Sequence, residues 1–358
     1  MNLYLDANAH LPMNNKAIEA FVQFNKTNAG YGNAMASSGP GRAAASEIEK
    51  SREKIAKLIG AEANQIIFTS SCTQACEWGL SLLKDRNFSK VYCSTIEHPA
   101  VALKAKELFG NNDLFVSSDG VVACTFTPEQ NSAYICIHIQ NEIGVIQVIE
   151  KIPVSFFSDM SQSLGKIPIN VNKINNLKLA TFGAHKFGGP IGVGILYIQD
   201  SEWWKEYGSG SRYYFDRPGT PDAGSIVATA VALEEAIKTL PKRYENALRW
   251  NNVLESGIED LGLKIIGKKA KRSPYTTFVH IGNKLGPYLM AQLESDGIYI
   301  GLGSACGSFS TNTSPVMTSL GSGGNAHDYI RISQWGDYGE NEAKMVVKAI
   351  KKYLPTKD

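Results

Sequence analysis

The sequence predicts an α/β fold, a mainly parallel sheet covered by helices on both faces, followed by a smaller α+β part. Short apolar runs of strand length alternate with helix-length segments between residues 66 and 198. A long stretch rich in Ala, Leu and Glu follows Ile226, and beyond about Leu263 the order becomes strand, helix, strand, helix. At 358 residues and 43% hydrophobic content, the chain is long enough for one large and one smaller domain.

Ala44 to Ile59 carries apolar side chains at 44, 48, 55, 58 and 59 and stops at Gly60, an amphipathic helix with a glycine stop. Ile66 to Phe68 reads as a strand, with a helix from Thr73, and Val91 to Cys93 as the next, with a helix from Pro99. Further strands are expected over Tyr134 to Ile139, Val154 to Phe157, Leu177 to Phe182 and Gly192 to Ile198. The last part should hold strand Thr276 to Ile281, helix Pro287 to Ser295, strand Tyr329 to Ser333 and helix Glu340 to Tyr353. No internal repeat stands out, and Gly321-Ser322-Gly323-Gly324-Asn325 reads as a turn.

Composition excludes several classes of function. A formal net charge of +2 gives no reason to expect nucleic acid or an acidic membrane surface as partner. The 6 cysteines show no CxxC pair and no zinc-type spacing, so no metal is expected and the thiols read as reduced. No basic segment followed by an apolar run opens the chain, and no apolar stretch nears the length of a membrane span. The expected location is the cytoplasm.

In an open α/β sheet, ligands bind beyond the carboxyl ends of the strands, so polar residues there are the ones to collect. Lys186 follows the Leu177 strand on a turn made permissive by Gly183, Gly188 and Gly189. Such a lysine, its pKa lowered by burial, can form a Schiff base, although a lysine in a glycine-rich turn can also be structural. Ser70-Ser71-Cys72-Thr73 opens a helix and offers N–H groups to a phosphate, or is an N-cap. His98 can stack on an aromatic ring and shuttle a proton, or start a helix. Asn141 lies in a turn after the Tyr134 strand. Asp159 ends an apolar strand and needs a cationic partner, for which a pyridinium nitrogen is one candidate and an ion pair another. Together these residues describe pyridoxal 5′-phosphate.

Two further residues bear on the substrate. Cys306 lies in Gly303-Ser304-Ala305-Cys306-Gly307-Ser308, a run expected to be an exposed loop where a thiol is available as nucleophile or is an inert surface group. Arg331 interrupts the apolar Tyr329 strand and would hold an α-carboxylate in a bidentate fork, or form a structural ion pair.

With these residues in view, the chain resembles the cysteine desulfurase family, the class-V aminotransferase branch of fold-type-I pyridoxal-phosphate enzymes. The likeness is collinear through Tyr4-Leu5-Asp6, Ala9 to Pro12, Gly32-Asn33, Gly41-Arg42, Thr73, Glu97-His98, Asn141 to Gly144, Asp159, Gln162, His185-Lys186, Arg217 to Thr220, Gly303 to Cys306 and Ile330-Arg331. Each piece is weak and the combination is specific. The resemblance implies a large domain over residues 13–240 with a mainly parallel, seven-stranded-type sheet. It implies a small domain of residues 1–12 and 241–358 that carries the cysteine loop.

It implies residue roles as well. Lys186 would anchor the cofactor, Asp159 would pair with the ring nitrogen, Gln162 would hydrogen-bond the ring hydroxyl and His98 would stack on the ring. Cys72, Thr73 and His185 would bind the phosphate, joined by Thr220 of a second subunit in a homodimer. Asn141 and Arg331 would hold the substrate carboxylate. Cys306 would take the sulfur of L-cysteine as a persulfide, leave L-alanine, and deliver the sulfur to an acceptor protein of unknown identity, as in iron-sulfur assembly. Selenocysteine lyase, another class-V reaction, or a scaffold subunit of a sulfur relay are the alternatives.

Gly183 stands where the family usually has a phosphate-binding Ser, and Ser38 and His10 where His and Thr are common. Cys76-Glu77-Trp78 replaces a more polar helix start. The chain ends soon after Tyr353, so a scaffold-docking tail is not expected and the usual iron-sulfur partner is not to be assumed.

Overall fold

The computed structural model describes residues 2–123, 129–207, 219–303, 314–322 and 324–355. In chain order the elements begin β1 (Leu3–Leu5), α1 (Asn15–Asn25), α2 (Gly39–Ile59), β2 (Ile66–Thr69), α3 (Cys72–Lys84), β3 (Lys90–Ser94), α4 (Pro99–Phe109), β4 (Asp113–Leu114) and β5 (Ser132–Ile135). They continue β6 (Ser155–Asp159), β7 (Leu177–Gly183), β8 (Gly194–Ile198), α5 (Glu202–Tyr207) and α6 (Ala223–Asp260). The last are β9 (Lys264–Ile265), β10 (Thr276–His280), α7 (Gly286–Ser295), β11 (Ile298–Ile300), α8 (Pro315–Ser319), β12 (Tyr329–Ser333) and α9 (Glu340–Tyr353).

Seven strands form one sheet in the order β2-β8-β7-β6-β5-β3-β4. Only β8 runs against its neighbours β2 and β7, and the other pairings are parallel. The carboxyl ends of β2, β3, β5, β6 and β7 therefore share one edge. This is the predicted mainly parallel α/β sheet, buried on both faces as parallel sheets must be.

Alternation along each strand fills the two faces. Ile66, Phe68, Phe156, Ala180, Phe182 and Ile195 join α2 and the first half of α6 in the largest core cluster. Their neighbours Ile67, Phe157, Leu179 and Leu196 pack under Ala75, Leu80 and Leu83 of α3 and Val101 of α4. A third cluster gathers Leu3, Leu5, Val279, Ile298, Ile330 and Ile350 around Trp250, Leu254 and Ile258 from the second half of α6. α6 is continuous through Pro241, although a proline there cannot donate its hydrogen bond to the preceding turn. Packing on both sides holds it.

α2 ends as expected. Gly60 takes φ +75° and closes the helix in the left-handed conformation, where an added Cβ would also meet the Asn170 amide. The expected strand over Tyr134 to Ile139 is shorter: β5 stops at Ile135, although Cys136 N and His138 N still donate to Phe157 O and Asp159 O. The chain stays beside β6 but parts from β3. Two pairings lay beyond the sequence reading: β1 lies parallel to β11, and α1 packs on α6. Among the described residues no helix is long and apolar enough to cross a membrane.

Candidate active site

The shared strand edge frames a cavity of about 270 Å³ lined by side chains from several strand ends. Lys186, His185, Asp159, Gln162, His98, Asn141, Arg331, Cys72 and Thr73 all line it. Residues spread from 72 to 331 meet because each follows a strand whose carboxyl end points to this edge, or, for Arg331, lies within β12. A larger cleft of about 960 Å³ against α2, between Met35, Arg42, Glu49 and Trp204, holds no lysine.

Lys186 leaves β7 on a single 3-10 turn, and its Nζ donates to the carbonyl oxygens of Asn8 at 2.6 Å and Ala9 at 2.7 Å. Burial, and then the positive charge of Arg331, lower its pKa from 10.5 to about 8, against the opposing pull of Cys72, Asp159 and Asp6. The free amine is thus accessible near neutral pH. His185 next to it is held down to about 4 by burial, then by Lys186 and His10, and is neutral at pH 7. The His10 and His185 rings stack with centroids 5.9 Å apart.

Asp159 is 6% exposed and its Oδ1 accepts from Ser161 N at 2.9 Å, with no ion pair among the described residues. A buried carboxylate in that state suits a cationic ligand group. His98 caps α4, its Nδ1 accepting from Ala100 N at 3.2 Å, and burial lowers its pKa while Asp159 opposes the fall. Beside it Glu97 is buried and pushed up to about 8, with Oε1 accepting from Ser94 Oγ at 2.6 Å and Ile137 N at 2.5 Å.

Ser71 caps α3, accepting from Gln74 N at 3.1 Å. The N–H groups of Cys72 and Thr73 lie at that helix start and make no hydrogen bond among the described residues. They can accept an anion, helped by the helix dipole. Cys72 Sγ lies 2.9 Å from Ser161 Oγ. At Gly183 an added Cβ would meet His185 Cε1 at 3.1 Å and Cys72 Cβ at 3.4 Å, so that position opens on the same corner.

Arg331 is 2% exposed. Its Nη2 donates to Asp6 Oδ1 at 2.6 Å and its Nη1 to Asn141 O at 3.3 Å, while Nε is buried with no partner among the described residues. The structural ion pair and an unused donor coexist on one guanidinium. Asn141 also accepts at Oδ1 from Gln140 Nε2, at 3.3 Å.

Thr220 is exposed and does not line the cavity. Cys306 lies outside the described residues, as do Arg217 and Pro218. The segment's flanks are described: Ser314 Oγ donates to the buried Glu142 carboxylate at 2.8 Å, and a Cβ on Gly303 would lie 3.6 Å from the same oxygen.

Sequence reasoning missed Asn8. Its N–H donates to Ser333 Oγ at 3.0 Å, its carbonyl accepts from Lys186 and from Gln162 Nε2 at 3.0 Å, and its Nδ2 donates to Asn141 O at 3.1 Å and Thr276 Oγ1 at 2.8 Å. One residue thereby ties together three of the candidates.

The comparisons with known proteins agree on one family. Residues 3–342 match the class-V aminotransferase family. The cysteine desulfurase IscS of Vibrio campbellii is 31% identical, with 92% of this chain and 87% of the relative covered. This chain belongs to the cysteine desulfurase family. Cysteine desulfurase IscS of Dictyoglomus turgidum is 29% identical, covering 89% of this chain and 85% of the relative. Among solved structures, a NifS-like protein superposes with a TM-score of 0.86 at 29% identity and covers 99% of both chains. The structure of SspA in complex with cysteine, at 23% identity and a TM-score of 0.77, shares the fold over 94% of this chain and 99% of that one. The α/β architecture is that of NifS-like, fold-type-I enzymes, and this cysteine desulfurase family member is an enzyme of a pyridoxal-phosphate-dependent family.

Proposed function

We propose that this enzyme converts L-cysteine to L-alanine with pyridoxal 5′-phosphate, passing the sulfur to Cys306 as a persulfide for delivery to an acceptor. The observation that carries the reading is the meeting of Lys186, Asp159, His98 and Arg331 in one cavity at the strand ends. The donor set fits the cofactor. Asp159 lacks an ion pair among the described residues and would meet the ring nitrogen, and the α3 N-terminus at Cys72 and Thr73, with His185, would meet the phosphate. Gln162 would reach the ring hydroxyl and His98 the ring face. When bound, the protonated pyridine ring draws electrons from the substrate Cα and Cβ.

The remaining work falls to this chain's own groups. Arg331 Nε supplies the unused donor for the substrate carboxylate, with Asn141 beside it. At pH 7 a pKa of about 8 leaves Lys186 about a tenth unprotonated, against ~0.03% for an ordinary lysine. Lys186 is therefore suited to take the proton from Cα. The Asn8 and Ala9 carbonyls hold its Nζ in the meantime. Cys306, as a thiolate, attacks the substrate sulfur; the C–S bond breaks, its electron pair stays at Cβ, and a proton there completes alanine.

Thr220, exposed and apart from its own cavity, would complete the phosphate site of a second subunit, so the enzyme would be a homodimer. Residues 13–240 would form the large domain, and residues 1–12 and 241–358 the small one. We place the enzyme in the cytoplasm on the reduced character of its thiols.

Purified protein loaded with pyridoxal 5′-phosphate and given cysteine and a reductant should release sulfide and alanine in equal amounts, and Cys306 should gain the mass of one sulfur atom. No sulfide, or full turnover in Cys306→Ala, would refute the reading. Turnover of selenocysteine alone would move it to the lyase.

A further inference from the structure

Lys166 is 1% exposed and makes no ion pair among the described residues. Its Nζ donates to Asn8 Oδ1 at 2.7 Å and to Gln162 Oε1. The charged groups that act on it are Lys186, Arg331 and Arg243, all positive, and with burial they lower its pKa well below 10.5. A methionine would fill the same space without the cost of desolvating an amine. A group placed so expensively beside a cavity of other cations needs a reason in what it holds.

What it holds is the orientation of two amides. With Oε1 drawn to Lys166, Gln162 must turn Nε2 the other way, where it donates to the Asn8 carbonyl at 3.0 Å and keeps a second N–H for the cavity it lines. With Oδ1 drawn to Lys166, Asn8 turns Nδ2 to Asn141 O and Thr276 Oγ1. The Asn8 carbonyl is then fixed under Lys186 Nζ. We propose that Lys166 is a positioning residue that acts through Gln162 and Asn8 to present an N–H donor to the cofactor and to seat the Lys186 amine. It touches neither cofactor nor substrate. The inference rests on the pyridoxal-phosphate reading of the cavity.

The test is a double-mutant cycle on cofactor-free protein titrated with pyridoxal 5′-phosphate. Lys166→Met should weaken binding about tenfold, whereas the same change in a Gln162→Leu background should cost under about twofold, because its route through Gln162 is already cut and only the seating of Lys186 through Asn8 remains. Lys166→Gln, which keeps one N–H donor, should bind with intermediate affinity and serves if the methionine variant does not fold. Equal losses of affinity in both backgrounds, or wild-type affinity in Lys166→Met or Lys166→Gln, would overturn the proposal while leaving the cofactor reading intact. Wild-type protein that does not bind pyridoxal 5′-phosphate would overturn both.

Discussion

Lys186 should destabilise the cofactor-free enzyme below neutral pH, and by an amount that the structure bounds. Its folded pKa of about 8 lies below its ordinary 10.5 because burial and Arg331 disfavour the ammonium. The unfolded chain therefore binds more protons at this site across that window, and stability rises with pH through it. The two values give a penalty of about 3.4 kcal/mol at about pH 6.5 and about 1.4 kcal/mol at about pH 9.5. The difference is about 2 kcal/mol. Lys186→Met keeps the side-chain length, removes the titration, and removes one hydrogen bond each from the Ala9 carbonyl and the Asn8 carbonyl, which keeps Gln162 Nε2, at either pH. That lost bonding is common to both conditions and cancels.

Reversible denaturant unfolding of cofactor-free wild type and Lys186→Met, each at the two pH values, isolates the linkage. Wild type should gain about 2 kcal/mol on the variant between about pH 6.5 and about pH 9.5. At the lower pH the variant should be the more stable protein, provided the two lost hydrogen bonds cost less than about 3 kcal/mol together. A difference between the proteins that stays constant within about 0.5 kcal/mol would show that Lys186 is an ordinary ammonium, and the reasoning that makes it a poised base would fail.

Glu97, raised to about 8 by burial, is the opposite case: its stability is full below its ordinary 4.5 and is lost as pH rises through 8. Glu97→Gln should keep roughly 2 kcal/mol that wild type loses between about pH 5 and about pH 7, read by paired denaturant curves. Gly183→Ser puts a hydroxyl beside Cys72 and His185 with a shift of a few tenths of an ångström at His185, and should tighten pyridoxal 5′-phosphate binding by about threefold to tenfold in an absorbance titration. Arg331→Lys should raise KM for cysteine by at least about tenfold while cofactor binding stays near wild type, because an ammonium cannot supply the fork.

Much of this cavity was legible because strand ends are legible. Apolar runs locate β3, β6 and β7, and the polar residues directly after or at their ends are forced to one edge by parallel pairing, which is why His98, Asp159 and Lys186 meet. Thr220 obeys no such rule within one chain, and it does not line the cavity. Asn8 and Lys166 escaped for a different reason. Asn8 sits on an irregular segment after a three-residue strand, and its place is fixed by bonds to Ser333, Thr276 and Lys186, each more than 170 residues away. No local period encodes such contacts. Lys166 did leave a mark, a lone cation in the run Ser163-Leu164-Gly165-Lys166-Ile167-Pro168-Ile169, four residues after Gln162.

That mark distinguishes two kinds of information. Residues that touch a ligand are announced by strand ends, since topology alone carries them to the site. A residue that aims another is announced only as a local conflict, a charge among apolar neighbours whose burial has no local explanation. Lys166 is such a conflict, and so is Arg331 within Tyr329-Ile330-Arg331-Ile332-Ser333, where the guanidinium is half explained by Asp6 and half left open at Nε. In the proposed function the unused half serves the substrate rather than the fold. If both residues were merely structural, Arg331→Lys and Lys166→Met would cost stability and nothing else. If the aiming is real, KM in the first variant and the Gln162-dependent affinity in the second must move on their own.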